Sequence, residues 1–98
     1  MEDSKLTRVD LEIFGMVQGV FFRAHTRDKA KSIGVRGWCR NTRNGTVEGQ
    51  LEGNVDTVEA MKDWLYAVGS PSSIIDQAVF KNESEIQEYS FTGFSIKH

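Results

Sequence analysis

The chain has 98 residues, with 12 Lys or Arg, 14 Asp or Glu and a formal net charge of −2, and its length predicts one domain, residues 1–98, around a single core. The acidic balance argues against a nucleic-acid partner, which requires a basic face, and no stretch reaches the ~20 apolar residues of a membrane span. Cys39 is the only cysteine, which excludes an internal disulfide and a cysteine-based zinc site. Since the sequence does not begin with the positively charged and then apolar segment of a signal peptide, we expect a cytoplasmic protein.

A strand and a helix are the first predicted elements. Apolar residues alternate with charged ones from Arg8 to Phe14, the period-two pattern of a strand with one buried face. Apolar and small residues then recur every three or four positions over Phe22–Ile33, which predicts a helix with a left-handed cap at Gly34.

The rest of the chain predicts four more strands, a hairpin turn and a second helix. In chain order they begin with a strand at Val35–Asn41, an Asn-Gly hairpin turn at Thr42–Thr46 and a strand at Thr46–Glu52. The second helix begins at the capping box Asp56–Glu59 and stops at Gly69–Pro71, and its apolar face is marked by Val58, Met61, Leu65 and Val68. The last two strands are expected at Ile75–Phe80 and Phe94–Lys97. The larger aromatic residues are expected in the core: Phe14, Phe22, Trp38, Phe80, Phe91 and Phe94.

This βαββαβ order with a short C-terminal strand predicts an α+β, ferredoxin-like (split βαβ) sandwich, with two helices on one face of a mostly antiparallel sheet. In that topology the first two strands are parallel and flank the third. Their C-terminal ends therefore lie at one edge of the sheet, about 10 Å apart. Side chains that follow these two strands can reach a common ligand.

The loop between the first strand and the first helix is the candidate binding site. Glycines tolerate positive φ and a helix start leaves backbone N–H groups unpaired, so the loop can surround a phosphate. The residues whose amides are candidates are Gly15, Met16, Val17, Gln18, Gly19, Val20, Phe21 and Phe22. Arg23 adds a permanently charged fork of donors. The alternative is that Gly15 and Gly19 only form a tight turn.

The spacing of residues before Arg23 also indicates which group attacks the phosphate. In a Cys-x5-Arg phosphatase loop ending at Arg23, the cysteine would stand at Val17, which cannot attack phosphorus. A water molecule must then attack, and Asn41 at the end of the second strand can orient it, although an amide is no base. A phosphoryl oxygen can take the proton when the leaving group is as good as a carboxylate. The alternative is that Asn41 only closes a turn.

No metal site or cofactor site is expected from the remaining polar residues. His25 points away from Arg23 around the helix and His98 is the last residue, so neither has a partner at metal-ligand spacing. Four further cations stand without an assigned role: Arg27, Arg40, Arg43 and Lys97. The aromatic strand of an RNA-recognition motif is absent, which disfavours RNA binding on the sheet.

Taken together, these residues resemble the acylphosphatase family over essentially the whole chain. Three blocks carry the resemblance: Gly15-x-Val17-Gln18-Gly19-Val20-x-Phe22-Arg23; Gly34-Val35-x-Gly37-Trp38-x-x-Asn41-Thr42 with Gly45-Thr46-Val47; and Gly69-Ser70-Pro71-Ser72-Ser73 with Phe94-Ser95-Ile96. Their order and the chain length look most like the small animal enzymes. The departures are Phe21, where vertebrate members often have Cys, Ile74 in place of an often basic residue, and Lys97-His98 at the end in place of Arg-Tyr.

The resemblance implies a metal-independent, cofactor-free hydrolase that cleaves acyl phosphates to carboxylate and inorganic phosphate. It implies that Arg23 binds the phosphate, that Asn41 positions the attacking water, and that the loop Gly15–Phe22 supplies the amides. We expect a monomer that is inhibited competitively by its product phosphate. The alternative is a non-catalytic domain that senses a phosphorylated metabolite; it would need Arg23 but not Asn41.

Overall fold

A computed structural model describes residues 5–19, 21–69 and 73–97 of the chain. In chain order its elements are β1 (Leu6–Met16), α1 (Phe22–Ile33), β2 (Arg36–Asn41), β3 (Val47–Asn54), α2 (Val55–Ala67), β4 (Ile74–Ile86) and β5 (Phe94–Ile96). The strands form one sheet in the order β4-β1-β3-β2-β5, in which only the β2–β5 pair is parallel. The two helices pack against this sheet and against each other. The predicted α+β ferredoxin-like fold is confirmed.

The core lies between the sheet and the two helices. Alternate residues of β1 are buried, namely Val9, Leu11 and Ile13. They meet the buried residues of the helices, which are Phe22, Thr26 and Ala30 on α1 and Val58, Met61 and Leu65 on α2. The predicted helix α1 is confirmed from its first residue to its cap at Gly34, whose φ is 82°.

The aromatic residues only partly fill the core. Phe22 and Phe94 are buried, whereas Phe14, Phe80 and Phe91 are half-buried. Trp38 was expected in the core, and that prediction is wrong. Because its neighbour Cys39 is buried against the helices, the alternation of a strand turns Trp38 to the opposite face. There its indole N–H donates to Gln50 Oε1 at 3.2 Å, and Nζ of Lys97 lies 4.5 Å from the ring centroid.

The predicted boundaries of α2 need two corrections. The helix begins at Val55 after the N-cap residue Asn54, so Asp56 lies in the first turn and no capping box forms there. A carboxylate in that turn still interacts favourably with the helix dipole. Val68 is exposed because the helix ends at Ala67, one residue before it. The stop signals Ser70 and Pro71 lie outside the described residues.

The sheet places two chain segments at one edge. Val47, the first residue of β3, pairs with Ile13 of β1 on one side and with Asn41 of β2 on the other. The ends of β1 and β2 therefore lie about two strand spacings, or ~10 Å, apart. This is the convergence that the topology predicted. Over the described ranges, neither helix is long and apolar enough to cross a membrane.

Candidate active site

The loop that joins β1 to α1 has an unusual backbone. Gly19 has φ 75°, and Phe21, the residue before the helix, has φ 60° and ψ 23°. A left-handed conformation costs a residue other than glycine about 1–2 kcal/mol, and strain of this kind is concentrated at functional sites. The Phe21 side chain is 79% exposed, so core packing does not compensate for the strain.

This loop and the first turns of α1 form one wall of a cleft with a volume of about 630 Å³. Its lining residues are Val17, Gly19, Phe21, Phe22, Arg23, Ala24 and Arg27, with Ser95 and Ile96 from β5. Parallel pairing of β5 with β2 brings this last strand to the cleft. Loop residues that are distant from β5 in sequence thus share one concave surface with it.

Not all of the predicted loop lines the cleft. Gly15 and Met16 belong to β1, where they pair with Ile75 and Ile74 of β4. Gln18 is directed to the turn between β2 and β3, and Val20 lies outside the described residues. The residues that line the cleft from this segment are Val17, Gly19, Phe21 and Phe22.

Two arginines one helical turn apart give the cleft its charge. Arg23 makes no hydrogen bond or ion pair with the described part of the chain. Arg27 donates from Nε to Asp28 Oδ1 at 3.2 Å. No acidic side chain is among the lining residues that the structure describes. Arg27 had no predicted role, although its four-residue spacing from Arg23 places both on one helix face.

The nucleophiles near the cleft are weak. Burial raises the pKa of the Cys39 thiol to about 12, even though the positive charges of Arg23 and Arg27 favour the thiolate. Cys39 is buried and does not line the cleft. Ser95 lines it, but no described lining residue is a His, Asp or Glu that could take the serine proton.

Asn41 ends β2 at the same edge of the sheet. Its Oδ1 atom is buried and has no hydrogen-bond partner within residues 5–19, 21–69 and 73–97. A buried acceptor without a donor costs about 1–3 kcal/mol. Asn41 lines a second cleft, of about 460 Å³, together with Glu12, Arg40, Thr42, Arg43, Asn44 and Glu48. It is not among the residues that line the cleft of Arg23.

Gln18 connects the loop to the chain segment after Asn41. Its Nε2 donates to the carbonyl oxygens of Thr42 at 3.0 Å and of Thr46 at 2.8 Å. The hydroxyls of Thr42 and Thr46 are 2.7 Å apart, and Thr46 Oγ1 donates to Glu12 Oε2 at 2.7 Å. The sequence pattern indicates only a backbone role for Gln18 and gives no sign of this side-chain bridge.

The other polar candidates lie elsewhere. His25 is exposed, and His98 lies outside the described residues. Within the described ranges, no three His, Cys, Asp or Glu side chains gather as metal ligands do. Arg40 donates to Glu48 Oε2 at 2.6 Å, and Lys97 lies over the ring of Trp38. Arg43 is exposed on the cleft of Asn41.

Comparison with known proteins identifies the family. The acylphosphatase family model matches residues 9–96. Acylphosphatase-2 of Meleagris gallopavo is 55% identical over 93 residues, which are 95% of this chain and 90% of that protein. Acylphosphatase-2 of Homo sapiens is 53% identical over 93 residues, which are 95% of this chain and 94% of that protein. The crystal structure of an acylphosphatase from Bacillus subtilis has a TM-score of 0.86 at 28% identity and covers 94% of this chain and 99% of its own. The chain therefore belongs to the acylphosphatase family and is an enzyme of its small animal type.

Proposed function

We propose that this enzyme cleaves the carboxyl–phosphate anhydride bond of acyl phosphates by direct attack of water on phosphorus. Hydrolysis of acyl phosphates follows from its membership of the family. The observation that carries the finer mechanism is the buried Oδ1 of Asn41, which lacks a partner in the described chain and lies at the sheet edge that also holds the loop before Arg23.

Arg23 and the loop hold the phosphate. The guanidinium can donate to two phosphate oxygens at once and remains charged at any cellular pH. The loop residues that line the cleft are Val17, Gly19, Phe21 and Phe22, and the amide of Phe22, the first residue of α1, has no partner within the helix. Because these donors are fixed before the reaction, they stabilise the charge that develops as the anhydride bond breaks without reorganising.

Asn41 orients the water. Its Oδ1 accepts a hydrogen bond from the water, which satisfies the buried acceptor and directs an oxygen lone pair toward phosphorus. Asn41 is neutral and takes no proton. Its contribution is therefore positional, and the strand end that carries it must keep its place relative to the loop.

The hydrolysis needs no reactant other than water and the acyl phosphate. The water oxygen forms a bond to phosphorus while the bond from phosphorus to the acyl oxygen breaks, and the electron pair of that bond leaves with the carboxylate. One water proton moves to a phosphoryl oxygen, and the products are a carboxylate and inorganic phosphate. A carboxylate leaves without protonation, so no general acid is needed.

No covalent phospho-enzyme and no metal ion or other cofactor take part in this proposal. Val17 stands where a phosphatase cysteine would attack, and Ser95 has no described base beside it in the cleft. Arg23 supplies the positive charge that a metal ion contributes to other phosphoryl-transfer sites. The working form is proposed to be a cytoplasmic monomer that binds neither nucleic acid nor membrane, and its product phosphate competes with substrate for Arg23.

The test is hydrolysis of benzoyl phosphate in ¹⁸O-labelled water, with a metal chelator present throughout. We expect turnover in chelator, ¹⁸O in the inorganic phosphate but not in the benzoate, and inhibition by added phosphate that raises KM and leaves kcat unchanged. A parallel acid quench should trap no phosphorylated protein. Label in the benzoate, a trapped phosphoprotein, or loss of activity in chelator would contradict the mechanism.

A further inference from the structure

The cleft holds a second arginine that the hydrolysis of the phosphate does not use. Arg27 follows Arg23 by four residues on α1, so their Cβ atoms are about 5–6 Å apart along the same helix face. Both line the cleft. With Arg23 and the loop amides assigned to the phosphate, Arg27 is a second cation in the same cleft that is left for another group of the substrate.

The surroundings of Arg27 fit one kind of acyl substituent. Among the described lining residues Arg23 and Arg27 carry the positive charge of the cleft, whereas Ala24 and Ile96 are apolar. Its recorded hydrogen bond to Asp28 is 3.2 Å long, and the side chains of the pair are 38% and 67% exposed. An exposed pair of this kind is weak and exchanges readily for another carboxylate.

We propose that Arg27 binds a carboxylate on the acyl part of the substrate, so that this enzyme favours acyl phosphates whose acyl group carries a second, carboxylate anion. This inference rests on the proposed hydrolysis at Arg23. A single guanidinium that is partly neutralised by Asp28 matches a monoanionic carboxylate better than a second dianionic phosphate. Arg27 is then a specificity-determining residue, and it does not touch the reacting phosphorus.

The test compares benzoyl phosphate with 3- and 4-carboxybenzoyl phosphate, rigid substrates that differ only by the added carboxylate. The quantity is the ratio of kcat/KM for a carboxylated substrate to kcat/KM for benzoyl phosphate. In Arg27→Gln we expect this ratio to fall about fivefold for at least one isomer, the size expected of a partly exposed ion pair. Arg27→Lys should restore part of it. In Asp28→Asn the ratio should rise about twofold, because the competing carboxylate is gone.

Lys31→Gln is the matched control. It removes one positive charge from an exposed position in the next turn of the same helix, outside the cleft, and should leave the ratio unchanged. An unchanged ratio in Arg27→Gln, an equal loss on all three substrates, or an equal fall in Lys31→Gln would overturn the inference. Failure of the proposed function is a different result, because the unaltered enzyme would then not hydrolyse benzoyl phosphate.

Discussion

Gln18 and Thr42 are joined across the sheet edge, since Nε2 of Gln18 donates to the Thr42 carbonyl oxygen at 3.0 Å. Thr42 follows Asn41 directly, and Gln18 lies in the middle of the loop that precedes Arg23. One amide group therefore joins the proposed phosphate-binding loop to the chain segment next to Asn41, the residue proposed to orient the water. The same nitrogen also donates to the Thr46 carbonyl oxygen, so Gln18 is hydrogen-bonded to both ends of the turn between β2 and β3.

Gln18→Leu tests this bridge. The variant loses two partly buried hydrogen bonds, and we expect the free energy of unfolding in urea to fall by about 1–2 kcal/mol. The value of kcat for benzoyl phosphate should fall at least about tenfold, because misplacement of a positioning group by a fraction of an ångström is costly. Gln77→Leu on the exposed edge strand β4 is the control and should change neither quantity. Full activity in a destabilised Gln18→Leu would show that the bridge is only structural.

Alanine should lower the free energy of unfolding by different amounts at the two glycines, Gly15 and Gly19. At Gly15, with φ 133°, an added Cβ would lie 2.1 Å from the Ile74 carbonyl oxygen in β4, which cannot move without breaking the sheet. At Gly19, with φ 75°, a Cβ meets nothing within 4 Å among the residues that the structure describes. We expect Gly15→Ala to cost about 3 kcal/mol or more and Gly19→Ala about 1 kcal/mol, in urea unfolding. Equal costs would contradict this account of Gly15.

The sequence predicted the parts of the fold that depend on local periodicity. The face of α1 was read correctly because Phe22, Thr26 and Ala30 recur at helical spacing. Trp38 was misplaced because composition alone does not reveal which face of β2 is buried; that depends on its pairing with β3 and β5. Val68 was misplaced because the end of α2 is set by its last hydrogen bonds and not by the apolar pattern.

For the candidate site, the structure brings Arg23 and part of the predicted loop together in one cleft and places Asn41 in another, and the catalytic roles of these residues stay predictions. The sequence did not predict the contribution of Ser95 and Ile96, because a three-residue strand near the C-terminus reaches the cleft only through parallel pairing with β2. Nor did it predict the side-chain role of Gln18, because hydrogen bonds to carbonyl oxygens 24 and 28 residues away leave no local signal.

The surroundings of Glu52 determine how the free energy of unfolding should depend on pH. Its carboxylate is fully buried; burial alone would raise its pKa, but hydrogen bonds from Arg8 and the amides of Ser90 and Phe91 outweigh this and hold the pKa below its usual 4.5. The lowered pKa stabilises the fold fully above about pH 4.5, and this stabilisation is lost as the pH falls through the pKa of the folded state.

Glu52→Gln should therefore lower the free energy of unfolding by about 2–3 kcal/mol at pH 7, where the charged hydrogen bonds are lost. The difference from the unaltered protein should shrink progressively below pH 4.5, as urea unfolding at several pH values would show. Glu88→Gln, at an exposed position, is the control with no expected effect. A difference that stays constant down to pH 3 would contradict the assignment.

Cys39 provides a probe of the opening of β2. Burial raises the pKa of its thiol from 9.0 to about 12, against the positive charges of Arg23 and Arg27. The thiolate fraction is then on the order of 1,000-fold lower than in an exposed cysteine. We expect iodoacetamide at pH 8 to label the folded protein at least that much more slowly than the protein in denaturant. Equally fast labelling of both would show that β2 does not protect the thiol.

In the proposed mechanism Arg23 binds the phosphate and Asn41 orients the water. The most direct test measures kcat for benzoyl phosphate and the inhibition constant of inorganic phosphate in Arg23→Ala and Asn41→Ala. We predict that both variants lose turnover by a factor of about 100 or more, that Arg23→Ala loses most of its affinity for phosphate, and that Asn41→Ala keeps it. Full activity in Asn41→Ala, or unchanged phosphate affinity in Arg23→Ala, would contradict the claim.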